Sequence, residues 1–265
     1  APPRRAEFVH SLVPRAMAGA MPDNSLLQIL VFSVFFGIGL AALGERGRGL
    51  IGVIDQVAHV MLKVTAYVMW TAPAAVLAAV AATITTEGLG ILGTYGKFIG
   101  GYYVALLVLW AVLLGLGAMV IGPRVRALVS MIREPLLLAF STASSEAAYP
   151  KTLEQLERFG VSPRIASFVL PLGYSFNLDG SMMYCTFATL FIAQAYGIDL
   201  SGTQLITLLL LLLVTSKGIA GVPRASLVVL AATLPHFGIP DAGLLLVLAV
   251  DQFLDMGRSA TNVVG

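Results

Sequence analysis

Asp255, Arg258, Ser259 and Asn262 follow one another at spacings that place all four on one face of a helix. Their types form a set: a guanidinium whose planar fork can grip a carboxylate through two parallel hydrogen bonds, a carboxylate nearly one turn earlier, a hydroxyl and an amide. They lie in Gly243–Gly265, a segment that begins as an apolar, membrane-grade helix and then turns polar from Asp251 onward. Lipid would not accept that face, so it must look at a cavity. A second group, Asn177, Asp179 and Gly180, interrupts the otherwise apolar stretch Ser167–Tyr184 (SFVLPLGYSFNLDGSMMY), where a continuous helix would carry Leu or Ala. A break in hydrocarbon leaves N–H and C=O groups unpaired, which is tolerated only inside protein or beside a wet cavity. Asn177 to Ser181 is therefore predicted to unwind and to present oxygens to a small cation and a polar solute.

The elements that must position these groups are apolar. The chain of 265 residues is 58% hydrophobic and 11% charged, with mean hydropathy +0.90, whereas about a quarter of residues are charged in soluble domains. Charge-free runs cover Asn24–Gly44, Val64–Thr86, Phe98–Pro123, Gly180–Ile198, Leu200–Ser216 and Ala225–Pro240, several of them long enough to cross a bilayer core that needs about 20 residues. They are continuous rather than alternating, which argues against a barrel and for an all-α polytopic membrane protein. A net charge of +2 gives no reason to expect nucleic acid. Cys185, the single cysteine, allows neither a disulfide framework nor a thiolate metal site and reads as a small core residue.

Residues 1–25 are rich in Pro and Arg and are predicted to form a broken interfacial segment. Leu26–Leu43 reads as a first span, stopped by the turn Gly44–Gly49. From Leu50 to Trp70 the pattern is amphipathic, with Ile54, Val57, Val60, Met61, Val64 and Val68 at helical spacing and Asp55, His59 and Lys63 as a polar stripe opposite. Phe98–Gly122 is the clearest spanning helix, with Tyr102, Tyr103 and Trp110 suited to headgroup level. The next apolar piece, Pro135–Phe140, is too short to cross and runs into the hydroxyl-rich Ser141–Pro150 before a charged helix, Lys151–Phe159. The design recurs as Gln204–Val214, a Gly-rich tip Thr215–Arg224 and a return over Ala225–Leu234. Two interrupted apolar segments either side of a broken helix predict a pair of re-entrant hairpins and the midplane site of a transporter. Cationic loops hold Arg46, Arg48, Arg124, Arg126, Arg133, Lys151, Arg158 and Arg164 against Lys97 alone on the opposite side. The positive-inside rule then opens the first hairpin to the cytoplasm and the second to the outside. Arg4, Arg5 and Arg15 fall on the outer side by the same count. A hydrolase using Ser144 or Ser175 with His236 lacks any sign of a base beside a nucleophile, so no enzyme is expected. An anion channel lined by the Arg258 face and the hydroxyl tips is the other alternative.

Four motifs, FSTASSEAAYP, LPLGYSFNLDGS, SKGIAGVP and VDQFLDMGRSATNVVG, occur in one order and in the predicted contexts. With them the chain resembles the dicarboxylate/amino acid:cation symporters, the proton/sodium–glutamate/aspartate symporter family, strongly over Ala139–Gly265 and weakly from about Phe8. The resemblance implies a glutamate-transporter-like fold of spanning helices, two re-entrant helical hairpins and discontinuous helices, truncated here at both ends to a C-terminal portion. It implies partial scaffold and trimerisation helices over residues 1–92 and a transport domain over 93–265. Within the latter, the first hairpin spans about 124–158, the broken helix 161–196, the second hairpin 201–238 and the last helix 241–265. Implied too are a homotrimer in the inner (plasma) membrane, multi-pass, and uptake by an elevator motion of glutamate or aspartate, with a C4-dicarboxylate such as succinate, malate or fumarate as the alternative. The coupling ions would be H+ and/or Na+, with no other cofactor.

Carried onto this sequence, the family's roles give Arg258 the substrate's side-chain carboxylate and Asp255 its ammonium. Asn262 and Ser181 would hydrogen-bond the substrate, Ser144 and Ser145 would take the α-carboxylate, and Val222 and Ser259 would complete the binding set. Gly173, Asn177, Asp179 and Asn262 would hold Na+ where it is used. Glu146 and Asp179 would be the proton carriers. The sequence departs from the family at Ala143 and Met256, where some members place an Arg that braces Asp255, so Asp255 must lean on Arg258, on the substrate or on a proton. Lys217 and Ile219 stand in the second tip where sodium-dependent relatives carry neutral and hydroxyl residues, which favours proton coupling. Arg224 follows Pro223 where many members have Gly, as an outer gate contact or a snorkelling surface charge.

Overall fold

The computed structural model describes residues 26–70, 72–219, 221 and 223–265. The predicted interfacial segment and Val222 lie outside them. Among the described residues all regular structure is helical. Contacts group into two compact units, one ending at Pro73 and the other beginning at Ala74.

In the first unit α1 (Leu26–Ala42) is apolar but for Gln28 and Ser33, and a 3-10 turn over Gly44–Gly47 leads into α2 (Arg48–Met69). Arg48 Nη2 meets Glu45 Oε1 at 2.9 Å on the exposed surface of that turn. Ile54, Val57, Val60 and Val64 of α2 point outward, and Lys63 lies over the ring of Tyr67 at 5.6 Å rather than serving a polar stripe alone.

The second unit is built around its last helix. It comprises α3 (Ala72–Glu87) from Ala74 onward, α4 (Ile91–Ile121), α5 (Val125–Thr142), α6 (Ser145–Phe159), α7 (Pro163–Phe176), α8 (Asp179–Ala195), α9 (Gly202–Thr215), α10 (Ala225–Thr233), α11 (Leu244–Leu248) and α12 (Asp251–Val264). Helix α12 packs against α4, α5, α6 and α8. Small residues permit the close approach, since Ala139, Ala148 and Val263 form a shared core against Leu136. Phe98 stacks on Phe191 at 4.1 Å, and Tyr102 meets Phe187 edge-on at 5.6 Å, joining α4 to α8.

The outside of this unit is oily. Met119 and Val120 of α4 are 84% and 85% exposed, and Phe168, Leu172, Ile206 and Leu210 also face outward. The buried set contains Arg258, Asp251, Asp255, Ser181 and Ser259, which inverts the arrangement water would favour and suits hydrocarbon outside. By length and composition Ile91–Thr142 is the one stretch among the described residues long and apolar enough to cross a membrane. Its first helix, α4, has 31 residues, about 46 Å. Several other charge-free runs are divided by turns into shorter helices, and the run from Gly180 is largely buried within α8 rather than exposed.

Tyr102, Tyr103 and Trp110 each spend their polar atom within the protein. Tyr102 is fully buried and donates to the Leu254 carbonyl at 3.2 Å, Tyr103 donates to the Phe253 carbonyl at 2.7 Å, and Trp110 donates to Thr261 Oγ1 at 2.8 Å. Tyr95 adds a bond to the Leu246 carbonyl at 2.8 Å. The predicted continuous last helix is interrupted at Ala249–Val250, where the Val250 N–H turns to the Val247 carbonyl and relinquishes that of Leu246. Tyr95 satisfies the acceptor so released.

Candidate functional site

Helix α12 supplies the centre of the site. Arg258, with no exposed surface, donates through Nε to Asp255 Oδ1, through Nη1 to Ser181 Oγ at 3.4 Å and through Nη2 to Ser259 Oγ at 3.2 Å. Asp255 is bonded on both oxygens, because its Oδ2 accepts the Arg224 N–H at 2.7 Å. With Ala143 and Met256 unable to brace it, Asp255 thus leans on Arg258 and on a backbone donor from the second tip.

The break in the second helix is shorter than predicted. Asn177 and Leu178 leave helical geometry, and α8 already begins at Asp179. The reason lies about 80 residues away in sequence: Asn262 Oδ1 accepts the N–H groups of Gly180 at 2.9 Å and Ser181 at 3.3 Å. These are donors that a new helix end leaves without partners, and one amide caps both. Asn262 Nδ2 then donates to Ser181 Oγ at 3.1 Å, which ties the break to the guanidinium. A side chain at Gly180 would overlap the Arg258 carbonyl, so the motif needs glycine there for close approach.

Two tips close on this centre. Helix α5 ends at Ala143, which holds φ 50°, and Ser144 caps α6 by accepting the Ala147 N–H at 3.2 Å. The first tip grips Gly221 of the second through both peptide groups. Ser144 Oγ donates to its carbonyl at 2.8 Å, the Glu146 N–H donates to the same oxygen at 3.3 Å, and Glu146 Oε1 accepts the Gly221 N–H at 2.9 Å. A Cβ on Gly221 would stand 2.5 Å from Ser145 Oγ. Ser145 Oγ is buried without a hydrogen-bond partner, so of the two serines it is the one whose hydroxyl is uncommitted.

Two sets of contacts result: Ser144 and Glu146 hold Gly221, with Ser145 beside it, and Arg224, three residues further along the same tip, joins Asp255, Arg258, Ser181 and Asn262. Ser259 joins the second set through Arg258. Gly173 uses its carbonyl on the Asn177 N–H at 2.8 Å. The Asp179 carboxylate has no hydrogen bond among the described residues. A Cβ on Gly265 would crowd Asp179 Oδ2 at 3.0 Å and Asn177 Nδ2 at 3.1 Å, so the carboxylate and the amide pack closely beside that glycine. Carboxylate and carbonyl oxygens are the ligand types a hard cation such as sodium takes. Lys217 Nζ donates to the Phe176 carbonyl at the same helix break.

Sequence reasoning missed four participants: Asp251, Tyr184, Gly221 and the inward reach of Arg224. Asp251 is fully buried and accepts the Tyr184 hydroxyl at 2.5 Å, with Arg224 Nε 3.4 Å from its other oxygen. Its position four residues before Asp255 was the available signal, since that spacing puts both on one face. Arg224 is neither a free surface charge nor fully buried, its side chain being 22% exposed. His236, in the 3-10 turn after α10, bonds the Ala232 carbonyl of that helix, while Ser144 serves Gly221.

The profile of the sodium:dicarboxylate symporter family matches residues 1–265. The chain is 46% identical to the proton/glutamate-aspartate symporter of Escherichia coli (strain K12), over 96% of this chain and 59% of that protein. It is 43% identical to the proton/sodium-glutamate symport protein of Bacillus subtilis (strain 168), over 97% and 60%, and 40% identical to the C4-dicarboxylate transport protein of the same organism, over 98% and 62%. The chain thus spans about three fifths of the length of these curated relatives.

Proposed function

The chain belongs to the sodium:dicarboxylate symporter family, and from that premise we propose that it carries the substrate site of a secondary active symporter for acidic amino acids, glutamate or aspartate, in the plasma membrane. The observation that carries the reading is the fully buried Arg258 paired with Asp255, within one bonded network that the second tip and the helix break share. A buried guanidinium inside an oily exterior is costly unless it serves an anion, and its fork matches a carboxylate. Asp255 retains acceptor capacity for an ammonium beyond its two bonds, since a carboxylate offers about four lone-pair sites. Ser145 Oγ, buried and uncommitted, is the donor for a second carboxylate at the first tip.

On this reading α5–α6 and α9–α10 are the two re-entrant hairpins, residues 93–265 move as a transport domain against scaffold helices within 1–92 of a homotrimer, and the motion is an elevator. Asp179, Asn177, Asn262 and the Gly173 carbonyl would hold sodium, which supplies positive charge beside an anionic substrate. Lys217 places a tethered ammonium on the Phe176 carbonyl at the neighbouring position, and like charges repel strongly at low dielectric, which favours the proton as coupling ion. Glu146 is better placed than Asp179 to carry it. As a carboxylate it accepts the Gly221 N–H; protonated, it turns a donor into the contact and loosens the grip between the tips. Val222 remains in the binding set as a proposal from the family motif.

Uptake of labelled glutamate and succinate into liposomes holding the full-length protein, with proton and sodium gradients imposed separately, tests the reading. Accumulation should follow the proton gradient, and Asp255→Asn should depress glutamate uptake at least about tenfold more than succinate uptake, the loss of one charged hydrogen bond. Equal losses would remove the ammonium role from Asp255 and leave the C4-dicarboxylate alternative in front.

A further inference from the structure

Arg224 holds φ 64°, a left-handed backbone that is costly for a residue with a side chain. That conformation aims its N–H at Asp255 Oδ2. Its guanidinium turns inward, with Nε 3.4 Å from Asp251 Oδ2. Nε and Nη2 make up the edge by which arginine holds a carboxylate side-on, and both are buried without a hydrogen bond. Asp251 Oδ2 is buried and unbonded too, while Oδ1 is fixed by Tyr184. A cationic edge and an anionic oxygen that face each other away from water, close but unaligned, are one small rotation from a bidentate pair.

We propose that Arg224 is a positioning residue: its guanidinium docks the second tip on α12 through Asp251, and the docking sets its own N–H on Asp255. The tip cannot lift without withdrawing a donor from Asp255, so closure of the tip and the shape of the Asp255 site are one event. The inference rests on the symporter reading only in treating Asp255 as a substrate contact; the docking itself needs no substrate to be seen.

Cys185 reports it. Its thiol is 1% exposed and lies 3.9 Å from the carbonyl of Ser226, two residues beyond Arg224, so it becomes accessible when the tip lifts. In the full-length protein with Cys185 as its only cysteine, in liposomes without substrate, the rate of modification by a small membrane-permeant thiol reagent is followed. Arg224→Gly keeps the left-handed backbone and the N–H while deleting the guanidinium, and should raise the rate about tenfold, as loss of a largely buried ion pair implies. Asp251→Asn should do the same, and the double variant should react no faster than either single one, because one shared interaction is lost only once. Arg224→Lys, which keeps charge without the fork, should fall between wild type and Arg224→Gly. An unchanged rate in Arg224→Gly, or single effects that multiply in the double variant, overturns the proposal. If Asp251→Asn fails to fold, the order of wild type, Arg224→Lys and Arg224→Gly decides alone, and equal rates in the three refute it. Since no substrate is present, failure of acidic amino acid uptake would leave this result untouched.

Discussion

Gly180 serves the site by what it lacks. A side chain there would overlap the Arg258 carbonyl and stand 2.9 Å from Thr261 Cβ, where α8 crosses α12 most closely. Gly180→Ala is therefore expected to lower stability by about 1–3 kcal/mol, the usual cost of overpacking, measured as denaturant unfolding of the detergent-solubilised protein, and to weaken glutamate binding as Arg258 shifts. Arg258, Asp255 and Asn262 were legible in the sequence because polar residues repeated at helical spacing in an apolar segment are too costly to face lipid and must line a cavity. Arg224 and Lys217 were not, because their partners are largely backbone groups and a neighbouring carboxylate that no residue pattern displays. Nor did any pattern reveal that Ser144 would spend its hydroxyl on Gly221 while Ser145 kept its own.

Among the elements, α4 and α12 are joined by side-chain donors rather than by oil alone. Tyr95, Tyr102, Tyr103 and Trp110 lie along one side of α4 and meet acceptors from Leu246 to Thr261. Trp110→Phe keeps the apolar bulk and deletes one bond, so it should cost about 1 kcal/mol or less; SDS-induced unfolding in bicelles would register that, and a neutral result would assign the indole to packing. The helices themselves were readable from apolar runs, and so was the interruption before Asp179. The break in the last helix at Ala249–Val250 was not, because nothing in LLLVLAVD disfavours helix, and its freed carbonyl is answered by a tyrosine about 150 positions earlier. Long-range satisfaction of this kind leaves no local trace.

Taken whole, the second unit buries Arg258, Asp251 and Asp255 and turns many aliphatic side chains outward, with Lys217, Arg224, Glu146 and Asp179 half-buried around that centre. Lys217 is the cation that acts on Asp179, and its removal should leave that carboxylate to a free ion. Lys217→Met is expected to give a sodium-dependent rise in melting temperature that wild type lacks, following the logarithmic stabilisation of any ligand that binds the folded state. A melting temperature indifferent to sodium in both proteins would deny the ammonium that role. Membrane class and transporter class could be read from composition and from paired interrupted segments. The balance of interior charge could not, because it depends on which side chains turn inward.

One glycine is held at both of its peptide groups by the opposite loop. Parting the two loops, from either side, breaks the same three attachments. An interlock of that kind resembles the paired doors of an airlock, in which the fastening that keeps one leaf shut is mounted on its counterpart.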